Sequence, residues 1–130
     1  MGAIFGTLKI MQKVLKSGSG WRLGWNPGRE YPGLVGADDW AIELTAEELA
    51  DFCRLLGQLV DNMRSMQAEL MDEENIACEA ESDLVWMQVE GFPTRHTLRL
   101  IVSTGRSCEG NWTAEAVVGL VAAVPSLKIF

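Results

Sequence analysis

Hydrophobic residues recur along this chain at two periods, and the switch from one to the other happens twice. Trp21, Leu23 and Trp25 alternate with Arg22 and Gly24 ahead of the turn residues Asn26-Pro27-Gly28, which predicts a half-buried strand. After a second turn signal at Tyr31-Pro32-Gly33, Trp40, Ile42 and Leu44 alternate with Asp39, Ala41 and Glu43, a second strand that Leu34-Val35 either begin or pair beside. Thr45 and Glu48 then stand at capping-box spacing, where hydroxyl and carboxylate satisfy the orphan amides of a helix start. From there Phe52, Cys53, Leu56, Leu59, Val60, Met63, Met66 and Leu70 fall three or four apart, one stripe of a helix from Ala46 to Leu70.

The second round begins with a β-hairpin. Val85, Met87 and Val89 alternate with Leu84, Trp86 and Gln88; Gly91-Phe92-Pro93-Thr94 turns; Leu98, Leu100 and Val102 alternate with Arg99 and Ile101. Residues 105–110 read as loop. Thr113 opens a second helix carrying Val117, Val118, Leu120, Val121 and Val124, stopped at Pro125, and the apolar tail of Leu127, Ile129 and Phe130 is expected to dock. Both helices follow a Thr-Ala-Glu string. The predicted class is α+β, an antiparallel sheet with two packed helices in repeated strands-then-helix units.

A chain of 130 residues with 48% apolar composition is the size of one domain with a real core, assigned here to residues 11–130, with 1–10 as an N-terminal extension and Met11 as good a start as Met1. No run approaches the roughly 20 apolar residues a membrane helix needs, and the opening is too short and Gly-broken for a secretory signal, so a cytoplasmic protein without membrane contact is expected. Three cysteines, Cys53, Cys78 and Cys108, without CxxC spacing indicate neither zinc nor a disulfide framework.

The net charge of −7 is laid out in blocks. Residues 69–83 hold Glu69, Asp72, Glu73, Glu74, Glu79, Glu81 and Asp83 without one base, either a solvated loop or, through Glu73, Glu74, Glu79 and Glu81, a docking patch for a basic protein partner. The helix, at about 37 Å for 25 residues, outruns a compact domain of this size, which points to a homodimer packed through Met63, Met66 and Leu70, although a Met stripe is more often core.

Catalysis has little to stand on. His96 is the one histidine, and it reads as a hairpin residue facing water; Cys108, at the other end of the same strand, is a conceivable nucleophilic companion that no spacing singles out. No Gly-rich phosphate loop, nucleophile elbow or EF-hand pattern is present, so no metal, cofactor or catalytic residue is assigned. A noncatalytic alternative is a stacking platform: Trp21, Trp25, Arg22, Arg95 and Arg99 could hold single-stranded nucleic acid by base stacking and phosphate neutralisation. Tryptophans at strand period are more often core, and overall acidity repels phosphate.

The blocks Gly18-Ser19-Gly20-Trp21-Arg22-Leu23-Gly24-Trp25-Asn26-Pro27, Gly33-Leu34-Val35-Gly36, Asp39-Trp40-Ala41-Ile42-Glu43-Leu44, Asp51-Phe52-Cys53-Arg54-Leu55-Leu56, Leu70-Met71-Asp72-Glu73-Glu74, Cys78-Glu79-Ala80-Glu81-Ser82-Asp83 and Glu109-Gly110-Asn111-Trp112 resemble the cyanobacterial family catalogued as domain of unknown function 1818. The resemblance runs from about Met11 to Phe130. It implies an oxygenic photosynthetic source, a cytoplasmic, nonenzymatic protein, helix-mediated dimers and an architecture similar to the Whirly and Pur-alpha type single-stranded-DNA-binding transcriptional regulators. The Whirly motif of lysines and glycines has no counterpart here, so fold kinship does not carry nucleic-acid binding with it. The reading is a noncatalytic binding module: single-stranded nucleic-acid-related regulation first, a protein-protein adaptor using residues 69–83 as the alternative, an enzyme of unknown reaction third.

Overall fold

Four strands and a helix, then four strands and a helix again, make up the computed structural model, which describes residues 13–67 and 74–127. Strands β1 (Val14–Gly18), β2 (Trp21–Trp25), β3 (Gly33–Gly36) and β4 (Ala41–Leu44) form one antiparallel sheet in that order, and helix α1 (Ala46–Gln67) follows. Strands β5 (Ile76–Glu81), β6 (Val85–Phe92), β7 (Arg95–Val102) and β8 (Cys108–Trp112) form the second antiparallel sheet, followed by α2 (Ala114–Ala123) and a 3-10 turn over Val124–Leu127. The α+β class with repeated strands-then-helix units holds, and the strands sort into two sheets.

One open alternative is decided and two expectations change. Leu34-Val35 belong to a strand of their own, which pairs with both β2 and β4. The acidic stretch is not all loop: Ile76, Cys78 and Ala80 face inward while Ala77, Glu79 and Glu81 are exposed, a period of two that the count of acids concealed. Residues 108–112 are strand although Gly110 and Asn111 are poor strand formers, because pairing with β7 and burial of Trp112 outweigh propensity.

Each helix serves both sheets. α1 starts beside β3 and β4 and crosses onto β5 and β6, and α2 packs on β7 and β8 as well as β1 and β2. The length of α1 is therefore used within the chain: 22 residues at 1.5 Å each, roughly 33 Å, reach from one sheet to the other. The buried positions Leu49, Phe52, Leu55, Leu56, Leu59, Val60 and Met63 lie on one stripe. Met63 is fully buried with its Sδ 3.9 Å from Cys78 Sγ on β5, so it is core and not a surface for a second copy; Met66 is half-buried, and Leu70 lies outside the described residues. Leu127 docks as expected, while Ile129 and Phe130 are also outside them.

Two polar fastenings join the repeats. The capping box forms as the spacing predicts: Thr45 N–H donates to Glu48 Oε1 at 2.8 Å, and Glu48 N–H donates to Thr45 Oγ1 at 3.1 Å. That carboxylate is only 2% exposed, and the β7–β8 loop supplies its counter-ion. Arg106 Nη2 pairs with Glu48 Oε1, Thr104 Oγ1 donates to Oε2 at 2.7 Å, and Arg106 Nη1 donates to the Glu43 carbonyl at 2.6 Å, with the guanidinium 4.8 Å above the Tyr31 ring. Gly105 and Ser107, either side of Arg106, take positive φ of 87° and 54°, a conformation that aims the arginine inward and that Ser107 adopts at some cost. The second fastening is the buried Trp112 indole, which donates to Gly36 O at 2.8 Å and meets Trp40 edge-on at 4.8 Å.

Arg106→Met should destabilise the fold by about 3 kcal/mol, because it strands a buried carboxylate. Glu48→Gln keeps the cap but removes the charge, and the double variant should recover most of the loss; in a urea-denaturation cycle, additivity within about 0.5 kcal/mol would refute the coupling. Two glycines should respond with opposite signs. A Cβ on Gly119 would strike the Trp21 indole, so Gly119→Ala should cost about 1–3 kcal/mol, whereas Gly57, with open space around it on α1, should gain about 0.5–1 kcal/mol as alanine.

Candidate binding surface

Register decides which side chains can meet a partner. In the first sheet Leu23 pairs with Val35 and Val35 with Ile42, all buried, so odd-numbered positions of β2 face the helices. Trp21 is wedged between Gly18 and Gly119, and Trp25 is half-buried against the core. Arg22 points to the other side, with two of its donors committed: Nε to Ala37 O at 2.8 Å and Nη2 to Trp40 O at 2.7 Å. The two tryptophans and the arginine thus lie on opposite faces. Arg95 and Arg99 are on β7, in the other sheet. The five residues selected for nucleic acid do not assemble into one platform.

The second sheet offers a coherent outer face. Val85, Met87 and Val89 are buried beneath it, so Trp86, Gln88 and Glu90 look outward, as do Thr97, Arg99 and Ile101 opposite the inward Leu98, Leu100 and Val102. Across all four strands runs the row Glu81, Trp86, Ile101, Glu109, and beside it the row Glu79, Gln88, Arg99, Asn111. Trp86 and Ile101 are half-buried, and the four carboxylates of Glu79, Glu81, Glu90 and Glu109 are exposed. Arg99 lies 5.7 Å from the Trp86 ring and donates to Glu109 at 3.1 Å, so its charge is answered within the face.

Of the residues chosen for docking, Glu79 and Glu81 are on this face, Glu74 is exposed just before β5, and Glu73 lies outside the described residues. Trp86, Ile101, Glu90 and Glu109 share the face without any local sequence signal for docking. Strict alternation through the hairpin puts the first two on one side, but Glu109 joins them only once β8 exists.

The candidate catalytic pair separates. His96 pairs with Gly91 near one end of β7, and Cys108 pairs with Val102 at the other, about 20 Å away at strand rise. His96 does not simply face water. It is half-buried on the inner side, desolvation lowers its pKa below the usual 6.5, and its Nδ1 is buried without a hydrogen-bond partner among the described residues. Burial also pushes the Cys53 thiol up to about 12, which leaves it protonated and unreactive at neutral pH. Among the described residues no group of three His, Cys, Asp or Glu side chains is placed to hold a metal, and no helix is long and apolar enough to cross a membrane.

The family model described as domain of unknown function 1818 matches residues 16–127. The chain belongs to that DUF1818 family. The crystal structure of a protein of unknown function, described as from the DUF155 family, from Prochlorococcus sp. NATL2A superposes with a TM-score of 0.82 at 28% identity, over 88% of this chain and 98% of that one. No curated protein matches the sequence. The matched DUF1818 segment spans both repeats, including Glu48, Arg106 and the outer face of the second sheet.

The half-buried imidazole makes a pH prediction for this DUF1818 chain. With the folded pKa below the unfolded one, the unfolded chain takes up the proton first, so stability holds above about pH 6.5 and falls as pH drops towards the folded value. His96→Gln should flatten the wild-type loss between about pH 7 and 5.5 in thermal melts; parallel curves for the two proteins would contradict it.

Proposed function

We propose that this protein is a noncatalytic interaction module, an adaptor that takes a basic, extended protein segment on the outer face of its second sheet. The observation that carries the reading is the row Glu81, Trp86, Ile101, Glu109: an apolar, aromatic centre with a carboxylate at each end. Interfaces are built in this way, with aromatic and aliphatic contacts at the middle and charge at the rim. β5 adds a second source of affinity, since no strand among the described residues pairs with its outer edge. A lysine-rich strand laid there would find backbone partners along β5 and carboxylates at Glu79 and Glu81.

Single-stranded nucleic acid is the second reading, supported by the ordered repeat of four strands and a helix, which fits the regulator architecture that the resemblance to Whirly and Pur-alpha proteins implies. Its aromatic would be Trp86 and its cations Arg95 and Arg99. Four carboxylates on the same face weigh against it, because each repels a phosphate that stacking alone must hold. A homodimer and the adaptor role are compatible, provided that the dimer leaves this face open.

A peptide alternating lysine and valine should perturb the amide resonances of β5 and β6 and quench Trp86 fluorescence, and the combined Glu79→Gln and Glu81→Gln change should weaken binding about three- to tenfold, in keeping with exposed ion pairs. Raised salt should act in the same direction. If a mixed single-stranded oligonucleotide binds instead, with affinity lost in Arg99→Ala and gained in the glutamine variant, the second reading replaces the first.

A further inference from the structure

A cavity of about 370 Å³ opens where the end of α1, the β6–β7 turn and α2 meet, away from the outer sheet face. That volume lies in the range of small-ligand pockets, roughly 300–1,000 Å³. Its walls are aliphatic: Val60 from α1, and Val117, Val118 and Val121 from α2. Val118 is 64% exposed, an aliphatic side chain left open to solvent. Among the described residues the charged or titratable lining groups are Arg64, Arg95 and His96, with no carboxylate beside them, in a chain of net charge −7. Arg64 has Asp61 at 3.8 Å, but both side chains are more than two-thirds exposed, so that pair binds weakly. Arg95 makes no ion pair among the described residues. His96 reaches the cavity from β7, and its buried Nδ1 has no hydrogen-bond partner among the described residues.

These observations ask for one kind of occupant. Apolar walls need an apolar body; two guanidiniums and an orphan ring nitrogen need an anion that can also exchange a hydrogen bond with imidazole. We propose that the cavity binds a small organic monoanion, a carboxylate on a short alkyl or aryl body, with the body against Val117, Val118 and Val121 and the head among Arg64, Arg95 and His96. Inorganic phosphate would bring a second charge and no apolar body. A neutral alcohol would leave both guanidiniums unanswered. The site is independent of the acidic sheet face, so failure of either reading leaves the other standing.

Because His96 is the only histidine, its ring protons report on the cavity without assignment ambiguity. Octanoate and phenylacetate, added to the full chain, should shift those signals saturably, and the bound carboxylate should raise the His96 pKa, since a nearby anion favours imidazolium. Octanol, which keeps the tail and drops the charge, should bind about tenfold more weakly, the size of one charge-assisted hydrogen bond. Arg95→Gln should cost a similar factor, and Val118→Glu, at an exposed position that should not disturb folding, should abolish binding by placing a like charge at the mouth. Unsaturable shifts with both carboxylates, or octanol binding as well as octanoate, would overturn the proposal with no variant needed; unchanged affinity in both variants would overturn it as well.

Discussion

One buried carboxylate holds the two halves of this molecule in register. Glu48 is placed by its own helix, three residues after the cap Thr45, and would be costly at 2% exposure if the capping box were its only partner. The compensation comes from 56 and 58 residues further along the chain, where Thr104 and Arg106 close on its two oxygens. Such a group is tolerated only when every partner is present, so the pair specifies one docking geometry more than it adds net stability. The left-handed backbone at Gly105 and Ser107 follows from the same demand: a relaxed loop would carry Arg106 past its target.

That fastening matters because neither repeat can cover itself. α1 leaves its own sheet and lies over β5 and β6, while α2 reaches back to β1 and β2, so the inner faces of both sheets drain into a single cluster that includes Leu23, Phe52, Met87 and Leu120. The close approaches are bought with glycine at Gly110 beneath Trp40 and at Gly119 beside Trp21. With the inner faces consumed, function is left to the outer faces and to the seams where elements meet.

The parts of this fold governed by local rules were legible in the sequence. The capping box, the stripe from Leu49 to Met63, the β6–β7 hairpin and the Thr113 cap, which accepts from Ala116 N–H, all depend on residues within a few positions of one another. β8 was not legible, because Gly110 and Asn111 become strand only against β7 and under Trp40. The tryptophans misled for the same reason. Period two shows that Trp21, Leu23 and Trp25 share a face, but not that α2 lies on that face; only tertiary packing turns the candidate platform into core. Arg22 was likewise unreadable, since its partners are carbonyls 15 and 18 residues away.

Unequal strand lengths divide the outer face of the second sheet into two electrostatic territories. β7 has eight residues and β8 five, so Leu98–Val102 have a neighbour on the far side and Arg95 to Thr97 have none. Where β8 is present, Glu109 meets Arg99 and neutralises it; where β8 is missing, Arg95 keeps its charge. On the other flank β5 places Glu79 and Glu81 beside the covered end and uncharged Ile76 and Ala77 towards the turn. Glu79, Glu81 and Glu109 therefore gather around Trp86, while the hairpin end, where Glu74 and Glu90 are the acids among the described residues, brings Arg95 and His96 to the cavity. The acidic row around Trp86 and the cavity lined by Arg64, Arg95 and His96 sit at opposite ends of the same pair of strands, so a cationic segment on the first and a small anion in the second would not compete for the same side chains.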